Sequence, residues 1–128
     1  MNATAAADEV ADLRRQRRDL RRELARARYW RRLIGARRDL SLASLTIPEG
    51  IAADLGEAAW HALAADAPTT LELTGAVWPD VHEVTVADLD ALDALEARLD
   101  RYERRLSATL DSVTAQMVNA LGRVHQTQ

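Results

Sequence analysis

The chain of 128 residues contains no cysteine and no lysine, and it has only three prolines and five glycines. Without cysteine it cannot form a disulfide framework or a thiolate metal site. No apolar run approaches the roughly 20 residues that a membrane-spanning helix needs, so we expect no membrane segment. Residues 1–7 lack a basic region followed by an apolar block. We therefore expect a flexible N-terminus, no signal peptide and a cytoplasmic protein.

The seventeen basic residues are all arginine, a bias that indicates a GC-rich genome, and they are unevenly distributed. Residues 1–40 hold twelve arginines against six acidic residues, and residues 41–97 hold eleven acidic residues and no arginine. A basic segment followed by an acidic one can neutralise itself if the chain folds back. The charge distribution therefore favours a hairpin over a free basic arm.

Residues 8–40 contain no proline and one glycine, Gly35, and they fit a seven-residue period. This pattern predicts one helix, roughly 50 Å long at 1.5 Å per residue. One seam position of the heptad carries Val10, Arg17, Leu24, Arg31 and Arg38, and the other carries Leu13, Leu20, Ala27 and Ile34. Arginine at positions that a coiled coil normally fills with apolar side chains requires an anionic partner.

Residues 86–124 keep the same period over five heptads and predict a second long helix. Thr85 and Asp88 resemble a capping box with Asp in place of the usual Glu, so the helix should start there. One seam position carries Leu89, Glu96, Glu103, Leu110, Met117 and Val124, and the other carries Leu92, Leu99, Leu106, Val113 and Ala120. We predict an all-α fold in which residues 8–128 form one domain, an antiparallel two-helix coiled-coil hairpin.

The connector, residues 41–85, mixes helical and extended signals. Thr46 to Glu49 reads as a helix start with Pro48 in the first turn, so we predict a short helix over 48–66. Residues 70–77 and 81–86 are β-prone, which indicates a small hairpin or an extended crossover.

Antiparallel pairing of the long helices would bring Arg38 near Glu96 and Arg31 near Glu103. Such pairs contribute little net stability, because desolvation offsets the attraction, but they fix the register of two helices. Arg17 has no obvious acidic partner in this arrangement, and we expect it to be solvated.

The segment Tyr29-Trp30-Arg31-Arg32-Leu33-Ile34, with Ala36-Arg37 and Asp39-Leu40 after it, resembles the helix of RsiG-like anti-sigma factors. These actinobacterial proteins use cyclic di-GMP to hold a sigma factor. The resemblance implies an antiparallel helical hairpin. It also implies a ligand signature along a helix: Glu, then Ser four residues on, Arg three further, Gln four further and Asp four further.

Only part of this signature is present. On the first helix Arg31 and Asp39 match, while Leu24, Arg28 and Gly35 replace the Glu, Ser and Gln. On the second helix Glu96 and Asp111 match, while Asp100, Glu103 and Ser107 depart. The ligand-binding residues that the resemblance implies are therefore Arg28, Arg31, Asp39, Glu96 and Asp111. Because Asp100 and Glu103 put negative charge where the family has Ser and Arg, we expect nucleotide control to be weakened or lost. No cofactor is then required, and residual cyclic di-GMP binding stays open.

Catalysis is disfavoured because His61, His82 and His125 are scattered, with no spacing suited to a metal. We therefore expect neither a catalytic site nor a metal site. Nucleic-acid binding is disfavoured by the acidic residues of 41–97 and by the lack of a recognition motif.

The wide apolar face of the two helices suits a protein partner and includes Trp30, Leu33, Leu95 and Tyr102. The sequence predicts a non-enzymatic regulator that binds another protein, with a sigma factor as the candidate partner. The alternative is a homodimeric coiled-coil interaction or scaffold protein with no role for cyclic di-GMP or sigma factors.

Overall fold

The computed structural model describes residues 3–45, 55–57, 61–78 and 85–126. These residues contain four helices and no strand: α1 (Ala3–Leu45), α2 (His61–Ala64), α3 (Thr70–Val77) and α4 (Val86–Gln126). Helices α1 and α4 pack against each other along their length. They are antiparallel, because Glu9 pairs with Arg123 at one end and Arg38 pairs with Asp93 at the other. The predicted all-α hairpin is confirmed.

Helix α1 extends beyond the predicted range of 8–40 at both ends. Residues 3–7, expected to be flexible, continue the helix; they are mostly alanine, the strongest helix former, and Ala6 is buried. At the other end Ser41 is buried, and the Ser44 hydroxyl donates a hydrogen bond to the Leu40 carbonyl at 2.9 Å.

Helix α4 begins where the sequence predicts it and ends two residues later than expected. The Thr85 hydroxyl accepts a hydrogen bond from the Asp88 backbone N–H at 3.2 Å. The Asp88 carboxylate in return accepts one from the Thr85 N–H at 2.9 Å. This reciprocal pair is the predicted capping box, with Asp performing the role of the usual Glu.

The connector differs from its predicted structure. Residues 46–54 and 58–60, which include the proposed helix start at Pro48, lie outside the described residues. Within the described part of 48–66, a turn at residues 55–57 interrupts the helix, and α2 covers only His61–Ala64. Gly56 has a φ of +85°, and a Cβ there would lie 2.8 Å from the Cβ of Ala64. Only glycine fits this turn without a shift, since it tolerates positive φ and has no Cβ.

Residues 70–77 form helix α3, so the β-prone interpretation of this segment is wrong. The Thr69 hydroxyl caps the helix by accepting a hydrogen bond from the Glu72 N–H at 3.1 Å. This local cap outweighs the weak strand preference of the segment, because strand propensity depends strongly on its surroundings. Of the second β-prone segment, residues 81–84 lie outside the described residues.

The core is thin and lies in the half of the hairpin that is distant from the connector. One buried cluster contains Val10, Leu13, Val113 and Ala120, and a second contains Leu24, Ala27 and Leu106. Beyond Ala27 and Leu106, charged residues share the seam with half-buried apolar residues, which include Ile34, Leu92 and Leu99. None of the described helices combines the length and the apolar composition that crossing a bilayer requires.

Candidate functional site

The charged part of the seam forms a shallow groove of about 570 Å³ between α1 and α4. Its lining residues are Arg28, Arg31, Arg32, Gly35, Ala36, Asp39, Glu96 and Glu103. The groove therefore brings together four of the five ligand-binding residues implied by the family resemblance. The fifth, Asp111, does not line it.

Glu103 is the centre of the groove and binds two arginines of α1. Its Oε2 accepts a hydrogen bond from Nη1 of Arg31 at 2.9 Å, and its Oε1 accepts one from Nε of Arg28 at 3.1 Å. Nη2 of Arg31 also lies 3.4 Å from Oδ1 of Asp100. The predicted Arg31–Glu103 pair is thus present, and both carboxylate oxygens of Glu103 are occupied.

These contacts shift the ionisation of both partners. The hydrogen bond from Arg31 is the main cause that lowers the pKa of Glu103; partial burial opposes it, and Arg28 adds to it. The same hydrogen bond raises the pKa of Arg31. Arg31 and Glu103 each favour the charged form of the other, so both are ionised at neutral pH.

Arg38 has a different partner from the predicted one. Its guanidinium hydrogen-bonds to Asp93, and Asp39 lies 3.9 Å away. Asp93 is the main cause of the raised pKa of Arg38, whereas Glu96 acts on it only through space and more weakly. The predicted Arg38–Glu96 ion pair is therefore wrong: from its seam position, the long side chain of Arg38 reaches Asp93, which lies in the row beside the seam of α4.

Glu96 lies instead against the α1 backbone at Gly35. A Cβ built on Gly35 would be 3.7 Å from Oε1 of Glu96, which is ordinary van der Waals contact. The glycine is therefore not required by the packing, and it brings no polar side chain to the groove at the position where the RsiG-like signature has Gln.

Asp39 and Asp111 are the most weakly engaged of the candidate ligand residues. The side chain of Asp39 is 81% exposed, and its ion-pair contact is with its neighbour Arg38. Asp111 is exposed and lies eight residues beyond Glu103, about 12 Å further along α4. The structure does not bring Asp111 to the other four residues.

A second feature of the hairpin is a set of large exposed side chains on the side of the seam opposite the charged groove. This set is the apolar flank, and it consists of Trp30, Leu33, Leu95 and Tyr102. The Tyr102 hydroxyl donates a hydrogen bond to Oε2 of Glu23 at 3.0 Å, and this contact raises the pKa of Tyr102. Glu23 and Trp30 are one heptad apart on α1, as are Leu95 and Tyr102 on α4. The apolar flank therefore runs along one side of the seam, and Arg28 and Asp100 lie along the other.

Sequence reasoning missed the Tyr102–Glu23 contact, although both residues hold the position that immediately precedes a seam residue. Trp30 stacks edge-to-face on Tyr29, with ring centroids 5.7 Å apart. The Trp30–Tyr29 contact is local to α1, and much of the apolar flank is open to solvent.

A third feature lies nearer the N-terminus of α1. A groove of about 410 Å³ is lined by Arg14, Arg17, Arg18, Arg21, Arg22 and Ala25. Nε of Arg17 is buried and has no hydrogen-bond partner in the described part of the chain. The expectation that Arg17 is solvated is therefore wrong for this atom.

Neither groove is lined by a described histidine. His61 and His125 are exposed outside both grooves, and His82 lies outside the described residues. Within residues 3–45, 55–57, 61–78 and 85–126, no group of three or more His, Cys, Asp or Glu is placed to hold a metal ion. The arrangement is suited to binding through charge and apolar contact.

No family model, curated protein or solved structure matches this chain.

Proposed function

We propose that this chain is a non-enzymatic regulatory protein that binds another protein through the apolar flank, in the manner of RsiG-like anti-sigma factors. We further propose that its nucleotide control is weakened or lost. The observation that carries the proposal is the exposure of the apolar flank, in which Trp30 alone is 56% exposed. Large aromatic side chains with this exposure are typical of protein–protein interfaces, where Trp and Tyr contribute much of the binding free energy.

The geometry of the apolar flank suits an amphipathic helix as the partner element. Trp30 and Leu33 are three residues apart on α1, and Leu95 and Tyr102 are seven apart on α4, about 10 Å along the helix. Both helices therefore present side chains to the same side of the seam. A third helix laid against this side would bury them and complete a three-helix packing layer.

The pairing of Glu103 with Arg28 and Arg31 supports the loss of nucleotide control. A phosphate of cyclic di-GMP would have to displace the Glu103 carboxylate from both guanidinium groups. It would also meet Glu96 in the same groove, where like charges repel. The arginines that the family resemblance assigns to the ligand are thus already neutralised within the hairpin.

The nucleotide part of the proposal is tested by calorimetric titration of the full chain with cyclic di-GMP, alone and with candidate sigma factors. We expect no saturable micromolar binding, and we expect sigma-factor affinity to be the same with and without the nucleotide. Saturable binding that is lost in Arg31→Ala would contradict the proposal and would make the chain a nucleotide-controlled switch.

The partner surface is tested by comparing Trp30→Ala and Leu95→Ala with a control, Val118→Ala. Val118 is also exposed, at 59%, but it lies outside the apolar flank. We expect each flank substitution to weaken the sigma-factor complex at least tenfold, about 1.4 kcal/mol, and the control to leave it unchanged. Equal effects of all three substitutions would rule out the apolar flank as the binding surface.

Homodimerisation is the second candidate, because the apolar flank extends over both helices and can meet its own copy about a two-fold axis. The thin core of the hairpin also favours the burial of further apolar surface. Sedimentation equilibrium distinguishes the two functions. A dimer that Trp30→Ala dissociates, in a protein that binds no sigma factor, would establish the scaffold function.

A further inference from the structure

The N-terminal half of α1 carries a cluster of arginines that the hairpin leaves without acidic partners. We call it the basic face; it consists of Arg14, Arg17, Arg18, Arg21 and Arg22, and it lines the groove of about 410 Å³. None of the five forms an ion pair within 4.0 Å with any residue of the described ranges. The basic face therefore concentrates positive charge over little more than two helical turns.

The sequence of α4 explains why neutralisation stops before the basic face. One row of side chains along α4 has its members seven residues apart: Asp93, Asp100, Ser107 and Thr114. Asp93 and Asp100 pair with arginines near the connector. In the antiparallel arrangement Ser107 and Thr114 are the members of the row that continue toward the basic face, and neither carries a charge.

The acidic residues of 41–97 offset the arginines in the charge of the whole chain, but not at each place along the hairpin. Within the described residues, the ion pairs between the two helices engage Arg28, Arg31 and Arg38 near the connector and Arg123 at the far end. The basic face lies between these regions and keeps its charge.

Arg17 is half-buried, unlike the other four members of the basic face. It occupies a seam position and lines the groove, and its Nε is buried. Nε has no hydrogen-bond acceptor within the described residues. A side chain that is already ordered loses little conformational entropy when a ligand binds.

We propose that the basic face binds the phosphodiester backbone of double-stranded nucleic acid without reading its sequence. Guanidinium groups alone are sufficient for phosphate contacts, which supply most of the affinity of non-specific binding. Arg14, Arg18 and Arg21 share one side of α1 and extend over about 10 Å, so they can contact successive phosphates. This proposal goes beyond the protein-binding function and does not depend on it.

The composition of the groove distinguishes a duplex from other anionic partners. Its largest apolar lining residue is Ala25, whereas protein interfaces usually centre on large apolar or aromatic side chains. None of the described residues that line it is aromatic, and proteins that bind single strands rely on aromatic side chains to stack the bases. An acidic protein and a single strand are therefore less well matched to this groove than a duplex backbone.

The test is fluorescence anisotropy of short labelled duplexes of arbitrary sequence, titrated with the full chain at several salt concentrations. DNA and RNA duplexes form two arms, and a single strand and poly-glutamate are the comparison ligands. We expect duplex binding at low salt and a slope of log K against log salt of about −4, close to −0.9 for each phosphate contact. Binding to both the DNA and the RNA duplex would show that the ligand is the phosphodiester backbone that they share. Binding to only one would show which of the two nucleic acids supplies the ligand.

The matched variants are Arg14→Gln/Arg18→Gln/Arg21→Gln and, as control, Arg98→Gln/Arg101→Gln/Arg105→Gln. Each variant removes three arginines that form no ion pair with a described residue, and the control arginines line a groove on α4. We expect the first variant to weaken duplex binding at least tenfold and to reduce the salt slope by about three, and the control to change affinity by less than twofold. Circular dichroism verifies that both variants retain the helical hairpin.

Three results would overturn the proposal. The first is the absence of duplex binding at low salt by a chain that is folded. The second is an equal loss of binding in both triple variants, which would indicate general charge attraction. The third is tighter binding of poly-glutamate or of the single strand than of either duplex.

Discussion

The Glu103 carboxylate joins the two helices in the connector half of the hairpin, where Arg38 and Asp93 form a second ion pair. It accepts hydrogen bonds from Arg28 and Arg31, and its side chain is 17% exposed while that of Arg31 is 41% exposed. Glu103→Arg removes both charge-assisted hydrogen bonds and places a third guanidinium beside the first two. Solvent screening makes the stabilisation from each contact much smaller than it would be in a buried site. We therefore expect the free energy of unfolding to fall by about 1.5 kcal/mol. For a chain of this size, the loss corresponds to a fall of about 6 °C in Tm.

The second half of this experiment restores the pair with its charges exchanged. We expect Arg31→Glu added to Glu103→Arg to recover about half of the loss. Recovery is incomplete because the new carboxylate lies near Asp100, which is 3.4 Å from Arg31 in the wild type. Urea denaturation followed by circular dichroism measures all four members of the double-mutant cycle.

A charge-matched control is Asp111→Arg, since Asp111 is exposed and forms no ion pair with any described residue. We expect it to change stability by less than about 0.5 kcal/mol. If the loss of stability in the double variant equalled the sum of the losses in the two single variants, the Arg31–Glu103 contact would have no energetic role. The account of a self-neutralised seam would then be refuted.

Three further predictions concern stability. Gly35→Ala should stabilise the protein by about 1 kcal/mol through helix propensity, because the new Cβ would meet no close contact. Urea denaturation measures this gain beside that of the control Gly122→Ala. A smaller gain at Gly35 than at Gly122 would show that the groove requires a glycine. Thr85→Ala should cost about 1 kcal/mol by removing the N-cap of α4, and an unchanged Tm would mean that the capping box contributes nothing. The pKa of Glu103 is lowered from its ordinary value of 4.5, so its contribution is present above that pH and is lost as the pH falls through the lowered pKa. The stability difference between wild type and Glu103→Gln should therefore be constant near neutral pH and shrink below about 4.5, and a difference that grows with acid would contradict this sign.

The long helices could be predicted because their signals are local and repeated. A seven-residue period over 8–40 and 86–124 leaves one way to bury the apolar residues, so the two helices and their shared seam follow from the sequence. The Arg31–Glu103 pair follows in turn from antiparallel pairing. The capping box at Thr85 was also predictable, since it depends on residues only three positions apart.

The connector could not be predicted in the same way, because its competing signals are weak. Residues 70–77 are β-prone by composition, yet one hydrogen bond to the Thr69 hydroxyl is enough to select a helix. Gly56 adopts positive φ in a segment whose apolar spacing suits a continuous helix. Short segments outside the regular heptads are decided by such single contacts.

The sequence by itself determined that this protein is a helical hairpin with charged residues in its seam, because periodicity and charge are properties of position along the chain. Only the tertiary structure decided how those charges are shared. Arginine side chains are long enough to reach carboxylates on more than one turn of the facing helix, so the choice of Asp93 over Glu96 by Arg38 depends on the exact rotation of α4. The same rotation places Ser107 and Thr114, rather than an acid, in the row that continues toward the basic face, and it is the reason that five arginines keep their charge.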